Sequence, residues 1–295
     1  MKIGKLGIWA PAEGMSAADA AAFAGRAERW GYSAMWIPEG FGNALVQASW
    51  LLAKTSRLII ATGVANLYAR DVFTATGGQA SLNDQSGGRF LLGLGVSHGP
   101  LVEGVRGLKY GPPIPAMREY LEGMKRVKAM GMGPKLAEKP MTVLAALGPK
   151  MLALAAQAAD GAHPYNVTPE HTAQARAILG PGKLLCPEQK VLLETDAATA
   201  RAISRRLLAP YFQLPNYCNN LIRLGFKDSD FASGGSDRLI DALIAWGSAD
   251  AIRTRIQQHW DAGADHVCIQ VLPKEGTIPR AADEKIFELL APAAG

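Results

Sequence analysis

Eight times along this chain a short apolar run gives way to a longer stretch of helical periodicity, and no other feature limits the possible folds as strongly. The apolar runs are Leu6–Trp9, Met35–Ile37, Leu58–Val64, Arg89–Val96, Thr142–Ala145, Ala162-His163, a segment within Leu184–Leu193, and His266–Val271. The first helix shows how the others are read. Ser16 is a capping residue, Asp19 supplies an acidic partner in the first turn, and Ala20, Phe23, Ala24, Ala27 and Trp30 share a face that Gly31 ends. Further helices are expected near Leu45–Ala53 and over Thr74–Asn83, Met117–Met130, Met151–Ala158 and Glu170–Ile178. Others follow in Ala197–Leu224, Leu239–Trp246, Ala251–Ala262 and Ala282–Leu290. Gly99–Pro115 and Phe226–Ser236 read as loop insertions beside a pocket entrance.

The strands are apolar on both faces, as parallel strands covered on both sides must be. Eight such units predict a closed (β/α)8 TIM barrel formed by residues 1–295 as one domain. An open, doubly wound sheet shows the same alternation and stands as the second reading. With 48% hydrophobic residues the chain has ample material for a core. The net charge of +5 is spread without a basic run longer than two residues, which argues against a nucleic-acid partner. Cys186, Cys218 and Cys268 are an odd number without a CxxC pair, so reduced thiols in a cytoplasmic protein are expected. The apolar start is cut short by Pro11 and Glu13, and no run is long enough to span a membrane.

Barrel chemistry sits at the C-terminal ends of the strands. That rule selects Trp9, Pro38-Glu39, Thr62-Gly63-Val64, Gly95 to His98, Ala145 to Pro149, His163 and Gln270. Gly93-Leu94-Gly95-Val96-Ser97-His98 lacks the third glycine of a dinucleotide fingerprint, and no helix follows at once. Its glycines suit close approach of a flat ligand to the backbone. His98, a titratable group just past an apolar strand, is placed to exchange a proton as hydride moves. Ala145-Ala146-Leu147-Gly148-Pro149 leads from strand to helix with Pro149 at the first helical position, a start that holds phosphate or serves as an ordinary turn. The histidines show no metal-ligand spacing, and a metal is not expected.

Taken in order, these segments resemble the luciferase-like oxidoreductases. Ser56-Arg57-Leu58-Ile59-Ile60-Ala61-Thr62-Gly63-Val64 followed by Gly88-Arg89-Phe90-Leu91-Leu92-Gly93-Leu94-Gly95 is similar to that superfamily's paired signature. Ala145–Pro149, Ala158-Ala159-Asp160-Gly161-Ala162 and Ala262-Gly263-Ala264-Asp265-His266-Val267 extend the likeness over nearly the whole chain. The branch it most resembles uses the deazaflavin coenzyme F-420. The resemblance implies hydride transfer between the coenzyme C5 and a small organic substrate, in a homodimer. It implies a non-prolyl cis peptide at Gly63–Val64 behind the ring, with Thr62, Gly95 and His163 also at the cofactor. It places the phosphate on Ala145, Ala146, Leu147, Gly148 and Pro149, although phosphate sites in barrels commonly follow strands seven and eight. Glu39 falls near the ring's reactive edge, and His98 stands at or near a proton-handling carboxylate of the sugar-phosphate dehydrogenases. These two are the catalytic candidates. Gly40 replaces the family's usual histidine, which leaves the usual alcohol chemistry in question. An FMN-dependent monooxygenase and a non-catalytic cofactor-binding homologue are the alternatives.

Overall fold

The strand period closes into a ring. The computed structural model describes residues 1–276 and 281–292. Its strands are β1 (Leu6–Trp9), β2 (Ala34–Ile37), β3 (Ile59–Thr62), β4 (Ala65–Asn66), β5 (Phe90–Gly95) and β6 (Thr142–Leu144). They continue with β7 (Gly161–Ala162), β8 (Leu184–Leu185), β9 (Glu188–Leu192), β10 (Ile244–Trp246) and β11 (Val267–Val271). All pairings are parallel, in the order β10-β9-β11-β1-β2-β3-β5-β6-β7-β8, with β4 also on β5. Only Cys186 and Pro187 separate β8 from β9, so the two ends of that path are one interrupted strand. Counting β3–β4 and β8–β9 once each gives eight strands around a (β/α)8 TIM barrel, with β10 an additional strand on the upper edge of β9.

The helices surround this ring: α1 (Ala17–Arg29), α2 (Ala44–Ala53), α3 (Val72–Ser86), α4 (Pro113–Ala129), α5 (Pro149–Ala158) and α6 (Pro169–Leu179). Then come α7 (Ala197–Leu208), α8 (Pro215–Arg223), α9 (Asp237–Leu243), α10 (Ala249–Asp261) and α11 (Ala281–Leu289). Ser16 caps α1 by accepting the Asp19 amide at 3.1 Å, and Gly31 takes φ +88° after its end. Side chains divide into two shells. Trp9, Trp36, Ile59, Ala61, Leu91, Val143, Cys186 and Cys268 fill the ring, while a larger cluster packs strands against helices. Closure is completed where Arg26 of α1 donates twice to Glu284 of α11, at 2.9 and 2.8 Å. Among the described residues no helix is long and apolar enough to cross a membrane.

Four expectations change. Leu58–Val64 is not one continuous strand: it breaks after Thr62, at the cis Gly63–Val64 peptide that the resemblance implied. Leu239–Trp246 is not one helix, because α9 ends at Leu243 and Ile244–Trp246 pairs with β9. The β-branched and aromatic end of that apolar run gains a strand partner, which outweighs its helical spacing. Trp246 is therefore a strand residue whose Nε1 donates to Asp241 at 2.9 Å. Neither proposed loop is structureless: Pro100–Val105 is a π-helix, α4 starts at Pro113, and Asp228–Gly234 forms short 3-10 turns.

Candidate active site

The strand-end face divides into a lined shelf and a filled wall. The shelf lies over β3, β5 and β6, where Gly63 and Gly95 let Trp9, His163 and Val64 pack directly on the backbone. Gly63 N donates to Ile37 O at 2.7 Å, and Trp9 Nε1 donates to Gly63 O at 3.0 Å, fixing the cis peptide from both sides. Val64 then turns onto β5: a Cβ on Gly95 would come within 2.5 Å of its Cγ2 and 3.5 Å of Ala145 Cβ. Gly63, Val64, Val96, Ser97, His98 and Ala145 are only partly buried, so this half of the mouth is accessible. The shelf, with Val64, Val96 and Ala145 partly exposed on it, is an apolar floor at the end of the barrel where ligands bind.

Thr62 is near this floor but does not face it. Its hydroxyl donates to Gly93 O at 2.7 Å and accepts Gly93 N at 2.8 Å, tying β3 to β5. Glu39 is likewise spent. Its carboxylate accepts Ala44 N at 3.1 Å and Asn66 N at 2.7 Å and pairs with Arg70, both side chains being almost wholly buried. It holds the first amide of α2, which Asn43 caps, and anchors the residues just past the kink, so the acid expected near the ring's edge is already engaged by these partners.

His163 sits beneath the kink. Its ring stacks on Trp36 with centroids 4.2 Å apart, and Nδ1 lies 2.7 Å from Cys186 O, so Nδ1 carries the proton and donates. Nε2 is left without a partner, 3.0 Å from where a Cβ on Gly63 would lie. Burial holds this imidazole down to about 4, so it is neutral near pH 7. His163 supports the floor from below.

At the far side of the shelf, α5 starts at Pro149 with Gly148 as its cap. Gly148 O accepts the Met151 and Leu152 amides, whereas the amides of Leu147, Gly148 and Lys150 have no acceptor among the described residues. Ala146 points into the core, and Leu147 O accepts Nε2 of His171 at 2.8 Å. The guanidinium of Arg223, at the end of α8, lies over this start. A helix start with free amides and a neighbouring cation suits a phosphate. Sequence reasoning found the loop but missed Arg223.

The wall rises from β7, β9, β11 and α8. Tyr165 packs against Trp9 with ring centroids 5.3 Å apart and planes tilted by 45°, and its hydroxyl meets Gln270 Oε1 at 2.8 Å and the Tyr211 hydroxyl at 3.0 Å. Beneath it lies a buried ion pair, Glu188–Lys190 at 3.1 Å, with the ammonium 3.8 Å from the centre of the Tyr165 ring. Burial pushes the Glu188 carboxyl up, opposed by Lys190. The sequence carries a signal for this pair, two opposite charges at i and i+2 on one face of an otherwise apolar strand. His98, past β5, closes the circuit with its ring centroid 6.0 Å from that of Tyr217.

The barrel therefore presents a kinked third strand, a partly exposed strand-end face and, beside it, a helix start with free amides. The family model described as luciferase-like monooxygenase matches residues 4–180, and the chain belongs to that family. Among its relatives is a putative coenzyme F-420-dependent oxidoreductase of Mycobacterium tuberculosis, 27% identical, covering 89% of this chain and 92% of the relative. A 5,10-methylenetetrahydromethanopterin reductase of Methanolobus tindarius is also 27% identical, covering 83% and 87%. Solved structures share the fold. An F-420-dependent secondary alcohol dehydrogenase holding an F-420-acetone adduct superposes with a TM-score of 0.76 at 15% identity, covering 99% of this chain and 97% of that one. The EDTA monooxygenase of Chelativorans gives 0.72 at 16%, covering 98% and 93%.

Proposed function

We propose that this chain is a coenzyme F-420-dependent oxidoreductase that transfers a hydride between C5 of the deazaflavin and a carbon of a small organic substrate. The observation that carries this reading is the partly exposed floor at Gly63, Val64 and Ala145, packed from behind by Trp9, His163 and Gly95 and lying between the α5 start and the β5 end that leads to His98. The F-420-dependent relatives support it. When bound, the coenzyme supplies the two-electron chemistry.

The protein's own residues do the rest. Gly63 and Val64 support one face of the ring, and Trp9 and His163 keep that support rigid. The Leu147, Gly148 and Lys150 amides with Arg223 hold the phosphate. Glu39 positions the chain after the kink. Substrate lies over the open face, where a fixed approach of the reacting carbons supplies much of the rate. Burial lowers the His98 imidazole, so it is neutral at pH 7 and able to accept a hydroxyl proton. The Tyr165 wall keeps water from the inner side of the site.

The α5 start suits a phosphate monoester as well, which favours FMN as the second reading. Titration with oxidised F-420, reduced F-420 and FMN, followed by absorbance, separates the two. Binding of the deazaflavin is expected; tight binding of FMN alone overturns the proposal. The same reading places the enzyme in the cytoplasm as a homodimer. Val46 and Trp50, exposed at i and i+4 on α2, with nearby Phe41 almost fully exposed, are the apolar surface offered for the second copy.

A further inference from the structure

Seven tyrosines lie in this chain, and six of their hydroxyls are hydrogen-bonded within the protein: Tyr32, Tyr68, Tyr110, Tyr120, Tyr165 and Tyr211. The seventh, Tyr217, has none among the described residues. Five histidines lie in it, and four use a ring nitrogen in a hydrogen bond: His163, His171, His259 and His266. The fifth, His98, does not. The two exceptions face each other at the mouth, ring centroids 6.0 Å apart and planes at 41°. Tyr217 is buried in the wall and His98 is partly exposed at the mouth, and two unpartnered polar groups set side by side at a barrel's strand-end face point to a ligand.

Their settings differ in a useful way. Tyr217 is held by its ring alone, edge-on to Tyr211 at 5.3 Å and 6.4 Å from Tyr165, so α8 fixes its direction without using its hydroxyl. His98 is fixed by its backbone, whose carbonyl accepts the Leu101 and Val102 amides that start the π-helix. His98 lies three residues past Gly95 at the end of β5, and Tyr217 meets it from the wall.

We propose that the Tyr217 hydroxyl and the His98 imidazole hold one and the same substrate atom, a carbonyl oxygen that gains charge as hydride reaches its carbon. This rests on the hydride-transfer reading. In the reducing direction a new C–H bond forms, the C=O π bond breaks and its electron pair goes to oxygen. His98, neutral at rest, takes a proton from solvent before the transfer, gives it to that oxygen and is neutral again, while Tyr217 keeps its proton and donates a hydrogen bond. The two electrons come from reduced deazaflavin, which is oxidised. In the reverse direction neutral His98 takes the hydroxyl proton. Burial raises the Tyr217 phenol well above its ordinary range, so it remains a donor throughout.

The test mixes reduced F-420 with aldehydes, ketones and enones and follows its reoxidation by absorbance. Wild type reduces at least one of these compounds. Tyr217→Phe keeps the ring contacts, lowers kcat about 100-fold, as loss of one donor to a developing oxyanion does, and leaves the Kd for F-420 unchanged, which shows that the variant is folded. In a His98→Gln background the same change costs less than about tenfold, because the two groups serve one atom. Tyr217→Phe with wild-type kcat, or losses that multiply fully in the double variant, overturns the assignment. So does a wild type that binds F-420 yet reduces no carbonyl compound. A wild type that binds no F-420 overturns the underlying reading instead.

Discussion

Arg223 Nη2 lies 3.4 Å from the point where a side chain on Gly148 would begin, and Asn220, one turn earlier on α8, accepts from the same nitrogen at 3.3 Å. The contact joins a helix outside the family-matched segment to the α5 start, and it places a positive charge beside free amides. Arg223→Ala is therefore expected to weaken binding of F-420 about 10–100-fold, one charge-assisted contact or two. The deazaflavin lacking its phosphate should bind wild type and variant alike. Isothermal titration with both ligands checks this; equal losses for both would remove Arg223 from the phosphate.

Glu39 and Arg70 form a buried pair whose carboxylate also accepts two amides. Glu39→Gln leaves Arg70 without its counter-ion, and a loss of about 3–5 kcal/mol of stability is expected. Urea unfolding measures it. Unchanged stability with turnover abolished would return Glu39 to the chemistry.

Gly95 is needed where it stands. Ala at this position puts a methyl group 2.5 Å from Val64 Cγ2, so Val64 must shift off the floor. Overpacking of this sort costs about 1–3 kcal/mol. Gly95→Ala should lower coenzyme affinity about tenfold or more while the protein stays folded, and fluorescence titration against thermal unfolding separates the two effects.

Three histidines make stability depend on pH. Burial lowers His163 and His266 to about 4 and His259 to about 3, each from an unfolded value near 6.5. Below pH 6.5 the unfolded chain takes up protons that the native barrel refuses, so stability is full near neutrality and falls as the pH drops towards 4. The slope approaches about 4 kcal/mol per pH unit when all three contribute. Glu188, raised by burial, opposes part of it. Urea midpoints at pH 7.5 and pH 5 should differ in favour of the higher pH; a flat or reversed profile contradicts the buried neutral histidines.

The barrel was legible because its strands are covered on both faces, so apolar runs such as Leu6–Trp9 stand out from the helical periods around them. Ile244–Trp246 was hidden because three apolar residues after a helix continue its pattern until a strand partner is known. The break after Thr62 followed from family likeness alone, since Leu58–Val64 shows no change of period. The strand-end rule found His98, Gly148 and His163. It could not show that Thr62 and Glu39 are consumed by Gly93 and Arg70, because those partners come from other units. Tyr217 and Arg223 reach the site only by the return of α8 across the mouth. Their one trace in the sequence is the spacing Tyr217, Asn220, Arg223 on a helix.

A crystal structure of the protein soaked with oxidised F-420 tests the central claim most directly. The ring is expected on the floor at Gly63, Val64, Gly95 and Ala145, with its phosphate between the Gly148 amide and Arg223. A ring lodged elsewhere, as in the cleft between Leu193, Leu272 and Lys285 beyond β9 and β11, would contradict the account.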